Sequence, residues 1–81
     1  MELENGLYVL SAQWCTKCPV VKNMLEGNGI EYKNIDIDES PEIAGELGVM
    51  SIPTIAKVVD GEVSIYTGQQ ACLQFINEQV F

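Results

Sequence analysis

Residues 7–18 read Leu7-Tyr8-Val9-Leu10-Ser11-Ala12-Gln13-Trp14-Cys15-Thr16-Lys17-Cys18, an apolar run that passes within a few residues into a C-x-x-C pair. The run at 7–10 has no polar face, which is the pattern of a strand covered on both sides. After a turn over 11–14, the spacing predicts a helix over 16–26, with Val20, Val21, Met24 and Leu25 on one apolar stripe. Gly27-Asn28-Gly29 ends it, because Gly and Asn take the left-handed cap conformation cheaply. The cysteines therefore lie where a buried strand gives way to a helix.

The elements that follow build outward from this unit. A second strand is predicted over 31–37, with Ile35 and Ile37 on one face and Asn34 and Asp36 on the other, as at a sheet edge. Ser40-Pro41-Glu42 reads as a helix start, with a capping hydroxyl, proline at the first helical position and an acid in the first turn. Ile43 and Leu47 give that helix a buried face, and Gly48 stops it. Residues 53–59 are apolar on both sides and form a third strand. Asp60-Gly61 is a two-residue hairpin signal, returning through an edge strand over 62–66. A last helix over 69–80 carries Cys72, Phe75, Ile76 and Val80 as a core stripe, with Thr67 and Gln70 spaced as a capping box. The order β-α-β-α-β-β-α over residues 1–81 implies one α/β domain. Its four-stranded mixed sheet has order 2-1-3-4, with the two doubly apolar strands central, a right-handed crossover between the first two and three flanking helices.

Composition narrows the function. The 81 residues are 47% apolar and carry a net charge of −8, from 12 carboxylates against four lysines, with no histidine. Such a surface repels nucleic-acid phosphates and anionic lipid. Without histidine there is no Ser-His-Asp or Cys-His catalysis and no His-containing metal site. The acidic start, Met1-Glu2-Leu3-Glu4, is unlike a secretory leader, and the apolar runs are far shorter than a membrane span, so a cytoplasmic location is expected.

In that setting C-x-x-C beside a β-α-β pattern points to redox chemistry. Cys15 is expected at or just before the first helical residue, where unpaired N–H groups and the helix dipole favour an anion. Such placement lowers a thiol pKa from about 8.5 to as little as about 3.5–7.5, and Lys17 adds a nearby cation. Cys18, one turn further in and more buried, is close enough to form a disulfide with Cys15. Cys15 would attack a substrate disulfide, and Cys18 would resolve the mixed disulfide. The alternative is half of a zinc or cluster site completed by a second chain or an outside thiol, since no second C-x-x-C exists. Cys72, on an apolar stripe, is expected as core packing, with a redox partner as the other reading. Segments 11–22, 49–59 and 66–74 contain no carboxylate, and their convergence would leave a neutral to weakly basic site.

Trp14-Cys15-Thr16-Lys17-Cys18 resembles the active-site motif of the thioredoxin superfamily, and Ser51-Ile52-Pro53-Thr54 is similar to its cis-proline segment. Gly48-Val49, Asp60-Gly61-Glu62 and Gly68 stand at matching spacing. The resemblance runs from about Leu7 to the end and implies a thioredoxin-like fold with a monomeric dithiol–disulfide oxidoreductase activity. It implies no bound cofactor, only the Cys15–Cys18 redox disulfide. Pro53 would face the cysteines in cis geometry, exposing the Ile52 backbone to an extended substrate. Trp14 and Gly68 would complete the docking surface, and Thr16 and Lys17 would line it and tune the potential. The implied partners are a flavin-dependent disulfide reductase and protein disulfides such as that of ribonucleotide reductase. The size, with Gly29-Ile30-Glu31-Tyr32 and Ile35-Asp36-Ile37-Asp38, is similar to glutaredoxins. However, Ala12 and Gly68-Gln69-Gln70-Ala71 stand where glutaredoxins hold glutathione, and Val9 stands where thioredoxins bury an aspartate. A glutathione-dependent glutaredoxin and a non-catalytic binding module on the same scaffold are the competing functions.

Overall fold

The computed structural model describes residues 4–79, in which β1 (Gly6–Ser11) is one of the two inner strands of the sheet, as its two-sided apolar run requires. It pairs in parallel with β2 (Lys33–Asp36), Leu10 opposite Ile35, and antiparallel with β3 (Thr54–Val59), Leu10 opposite Thr54. β4 (Glu62–Thr67) pairs antiparallel with β3, so the order is β2-β1-β3-β4, as predicted. The hairpin between them has Asp60 at φ 50° and Gly61 at φ 85°. Two successive positive φ values match the twist of the flanking strands, which is why Asp-Gly marked it.

Alternation along β1 divides the core. Val9 meets Val21 and Leu25 of α1 (Cys18–Gly27), Ile55, and Cys72, Phe75 and Ile76 of α3 (Gln69–Gln79). Tyr8 and Leu10 point the other way, with Ile35, Ala56 and Val58, under the half-buried Ile43 and Leu47 of α2 (Pro41–Leu47). Full burial of each such aliphatic side chain stabilises the fold by about 1.5–3 kcal/mol. Among the described residues no helix is long and apolar enough to cross a membrane.

Several local expectations are corrected. α1 begins at Cys18, not residue 16. A start at 16 would place Pro19 fourth in the helix, where an N–H is needed for the Cys15 carbonyl; starting at Cys18 puts it second, where none is needed. On α1, Val20 is exposed and Val21 and Leu25 carry the buried stripe. Ser40 occupies the N-cap of α2 but its hydroxyl makes no capping bond, so Pro41 and Glu42 are the start signals that operate. α3 begins at Gln69, which puts Gly68 at the cap, its carbonyl accepting the Cys72 N–H at 3.0 Å, so the Thr67–Gln70 box has no frame. Strands β2 and β3 are also shorter than read, β2 by two residues at its start and one at its end, β3 by the leading proline. Val80, assigned to the stripe of the last helix, lies outside the described residues.

Candidate active site

The strand pairings bring three chain segments to one end of the sheet. β1 ends at Ser11, and its neighbour Leu10 lies opposite Thr54, where β3 begins; Thr54 in turn lies opposite Thr67, where β4 ends. The cysteine loop leaves β1, the Ile52–Pro53 segment enters β3, and Gly68 leaves β4, all at this edge. Ser11 is buried, donates its hydroxyl to Asn34 Oδ1 at 2.6 Å and accepts the Ile37 N–H at 2.9 Å, fastening the loop's root to β2.

Cys15 and Cys18 are joined as a disulfide with their Cα atoms 5.6 Å apart. Cys15 is half-buried in the loop that precedes the helix, whereas Cys18, the first residue of α1, is 1% exposed. Although Cys15 sits three residues ahead of the helix, the Cys18 N–H, one of the amides a helix start leaves unpaired, donates to Cys15 Sγ at 3.1 Å. After reduction the same donor faces a thiolate, where a hydrogen bond to a charged acceptor is roughly twice as strong. Thr16 and Lys17 are exposed beside it.

The segments that carry the other predicted residues lie at the same end of the sheet. The Ile52–Pro53 bond is cis, and Pro53 is buried while Ile52 is half-buried. Gly68, at φ 94°, donates its N–H to the Pro53 carbonyl at 2.9 Å, joining two of the predicted docking residues directly. Trp14 is 65% exposed. It shares a cleft of about 330 Å³ with Ile37, Val49, Met50, Ser51 and Ile52, and Met50 is 97% exposed. A larger hollow, lined in part by Tyr8, Tyr32 and Lys33, includes none of the cysteines in its lining.

One carboxylate enters the site from outside the acid-free segments. The Trp14 indole N–H donates to Asp38 Oδ2 at 2.9 Å. Because β2 runs parallel to β1, the loops leaving both strands lie side by side; that topology is the signal that could have found Asp38. The contact fixes an exposed ring at the cleft wall. Asp38→Ala is expected to raise the KM for a protein disulfide about two- to threefold at unchanged kcat, the worth of an exposed charged contact. Stability should move by no more than about 0.5 kcal/mol. As Trp14 is the chain's one tryptophan, a change in its emission would report the released indole.

Residues 7–81 match the thioredoxin domain family. A thioredoxin of Listeria monocytogenes is 43% identical over 70 residues, covering 76% of this chain and 68% of that protein. A thioredoxin of Bacillus subtilis is 43% identical over 58 residues, which is 64% of this chain but spans only 56% of that protein. In three dimensions the chain is similar to the glutaredoxin-like protein NrdH-redoxin from Escherichia coli, with a TM-score of 0.71 at 23% identity, over 89% of this chain and 91% of that one. That likeness is one of fold.

Proposed function

This chain belongs to the thioredoxin family, and on that premise we propose that it is a dithiol–disulfide oxidoreductase in which Cys15 attacks and Cys18 resolves. The carrying observation is the asymmetry of the pair: a half-buried Cys15, its sulfur 3.1 Å from an amide donor, bonded to Cys18, which is 1% exposed. In the reduced protein the Cys15 thiolate attacks one sulfur of a substrate disulfide. That S–S bond breaks, and the departing thiolate takes up a proton. Cys18, deprotonated, then attacks the Cys15 sulfur, releasing the second substrate thiol. Two electrons and two protons reach the substrate, and the Cys15–Cys18 disulfide remains.

Trp14, Thr16 and Lys17 on one side, and Ile52, Pro53 and Gly68 on the other, form the docking surface in this proposal. The Ile52 backbone, just ahead of β3, would suit an extended partner segment added strand-like. A flavin-dependent disulfide reductase drawing on NADPH would restore the dithiol, and protein disulfides such as that of ribonucleotide reductase would be the acceptors. The identity to thioredoxins, together with Ala12 and Gly68-Gln69-Gln70-Ala71 in the places where glutaredoxins hold glutathione, supports this choice.

The test is reduction of a model protein disulfide, followed as NADPH consumption with thioredoxin reductase or with glutathione and its reductase. Turnover with the first system is expected. Turnover only with the second would move the protein to the glutaredoxin reading, and turnover with neither would overturn the assignment.

A further inference from the structure

Cys72 takes no part in that exchange, yet it lies directly beneath the docking surface. Its side chain is 0% exposed on α3, and Sγ is 3.3 Å from the Tyr66 carbonyl oxygen and 3.7 Å from that of Pro53. The surrounding backbone closes a ring. The Gly68 N–H donates to the Pro53 carbonyl at 2.9 Å, and the Cys72 N–H donates to the Gly68 carbonyl at 3.0 Å. Inside the proline loop, the buried Thr54 hydroxyl donates to the Ser51 carbonyl at 2.7 Å.

We propose that Cys72 is a positioning residue for substrate docking, its thiol fixing the depth and tilt of the Ile52–Pro53 and Tyr66–Gly68 backbones that would flank a bound disulfide segment. This role rests on the oxidoreductase function proposed above. The single thiol proton goes mainly to the nearer Tyr66 oxygen, and the sulfur keeps the Pro53 carbonyl in contact on the same side. The Pro53 carbonyl is held by both Gly68 and Cys72 and the proline ring fixes its own φ, so this anchor limits how far the adjoining Ile52 peptide, the one a substrate strand would pair with, can shift. Burial pushes the Cys72 thiol up to about 11, against a smaller opposing pull from the Ile55 backbone, so it remains a neutral donor at physiological pH. Sealed from solvent, it is a poor nucleophile and a poor target for oxidation.

The experiment compares Cys72→Val, which removes the donor and adds about one methyl group of volume, with Cys72→Ser, which keeps a donor. Cys72→Ala, which leaves a small void without strain, stands in if the valine does not fold. The full chain is assayed against a protein disulfide and against a small aromatic disulfide that needs only the sulfurs. Cys72→Val is expected to raise KM for the protein disulfide about three- to fivefold at unchanged kcat, the worth of one weak hydrogen bond. The small disulfide should be reduced at the wild-type rate, and Cys72→Ser should return KM toward wild type. A valine variant with wild-type KM, a parallel loss on both substrates, or a serine variant no better than valine would each overturn the positioning role. A wild-type protein inactive on both substrates would instead overturn the function proposed above.

Discussion

Cys15→Ser is expected to abolish disulfide reduction, lowering turnover on the order of a thousandfold or more, because a serine hydroxyl cannot replace a thiolate as the attacking group. Cys18→Ser should fail differently. The amide at 3.1 Å from Cys15 Sγ belongs to the backbone and survives the substitution, so Cys15 keeps its stabilising donor and still attacks. With no second sulfur behind it, the mixed disulfide persists. A single-turnover assay of Cys18→Ser with a protein disulfide should therefore show a covalent adduct on Cys15, seen by mass and lost on adding dithiol. Burial makes the assignment directional: Cys18 is 1% exposed, and an incoming disulfide meets Cys15 first. Adducts forming on Cys18 in the Cys15→Ser protein at the same rate, or full turnover by that variant, would contradict the division of labour between the two sulfurs.

Much of this site is legible in the sequence because its signals are local. Two cysteines at i and i+3 beside a buried strand and an Asp-Gly hairpin each declare themselves within a few residues, whereas the role of Pro53 comes only through the family resemblance. Strand order follows from which strands are apolar on both faces. What escapes such a reading depends on partners distant along the chain. The Trp14–Asp38 contact joins residues 24 apart, and the Cys72–Pro53 contact residues 19 apart. Cys72 reads as packing from its stripe, and it does pack; that its sulfur also reaches two carbonyls of the docking loops is set by how α3 seats on β3 and β4. The start of α1 is misplaced by the periodicity although the cause is visible in the chain, since Pro19 cannot supply an amide to the Cys15 carbonyl.

Val9 carries the largest expected effect on stability. It is fully buried on β1 between Asn34 of β2 and Ile55 of β3, and packs with Val21, Leu25, Cys72, Phe75 and Ile76. The thioredoxin resemblance puts a buried aspartate at this place, so Val9→Asp asks whether this core can house one. Valine and aspartate are close in volume, and the cost is therefore electrostatic rather than a cavity. The neighbouring side chains offer no cation and no strong donor, so an ionised carboxylate there should cost about 3–5 kcal/mol. A domain of this length has a total stability of only about 4–12 kcal/mol, so the variant should be close to unfolding at neutral pH. The pH dependence has a definite sign. Burial raises the folded-state pKa of the new carboxyl above its unfolded value of about 3.9, so the deficit is smallest in acid, grows as pH rises between the two values and then levels off. Urea midpoints of both proteins at acid and at neutral pH measure it, with Val9→Thr as the control that adds a hydroxyl without a charge. Equal midpoints for Val9→Asp and wild type at neutral pH would mean that a donor or water reaches this layer of the core, and that the apolar enclosure around Val9 is incomplete.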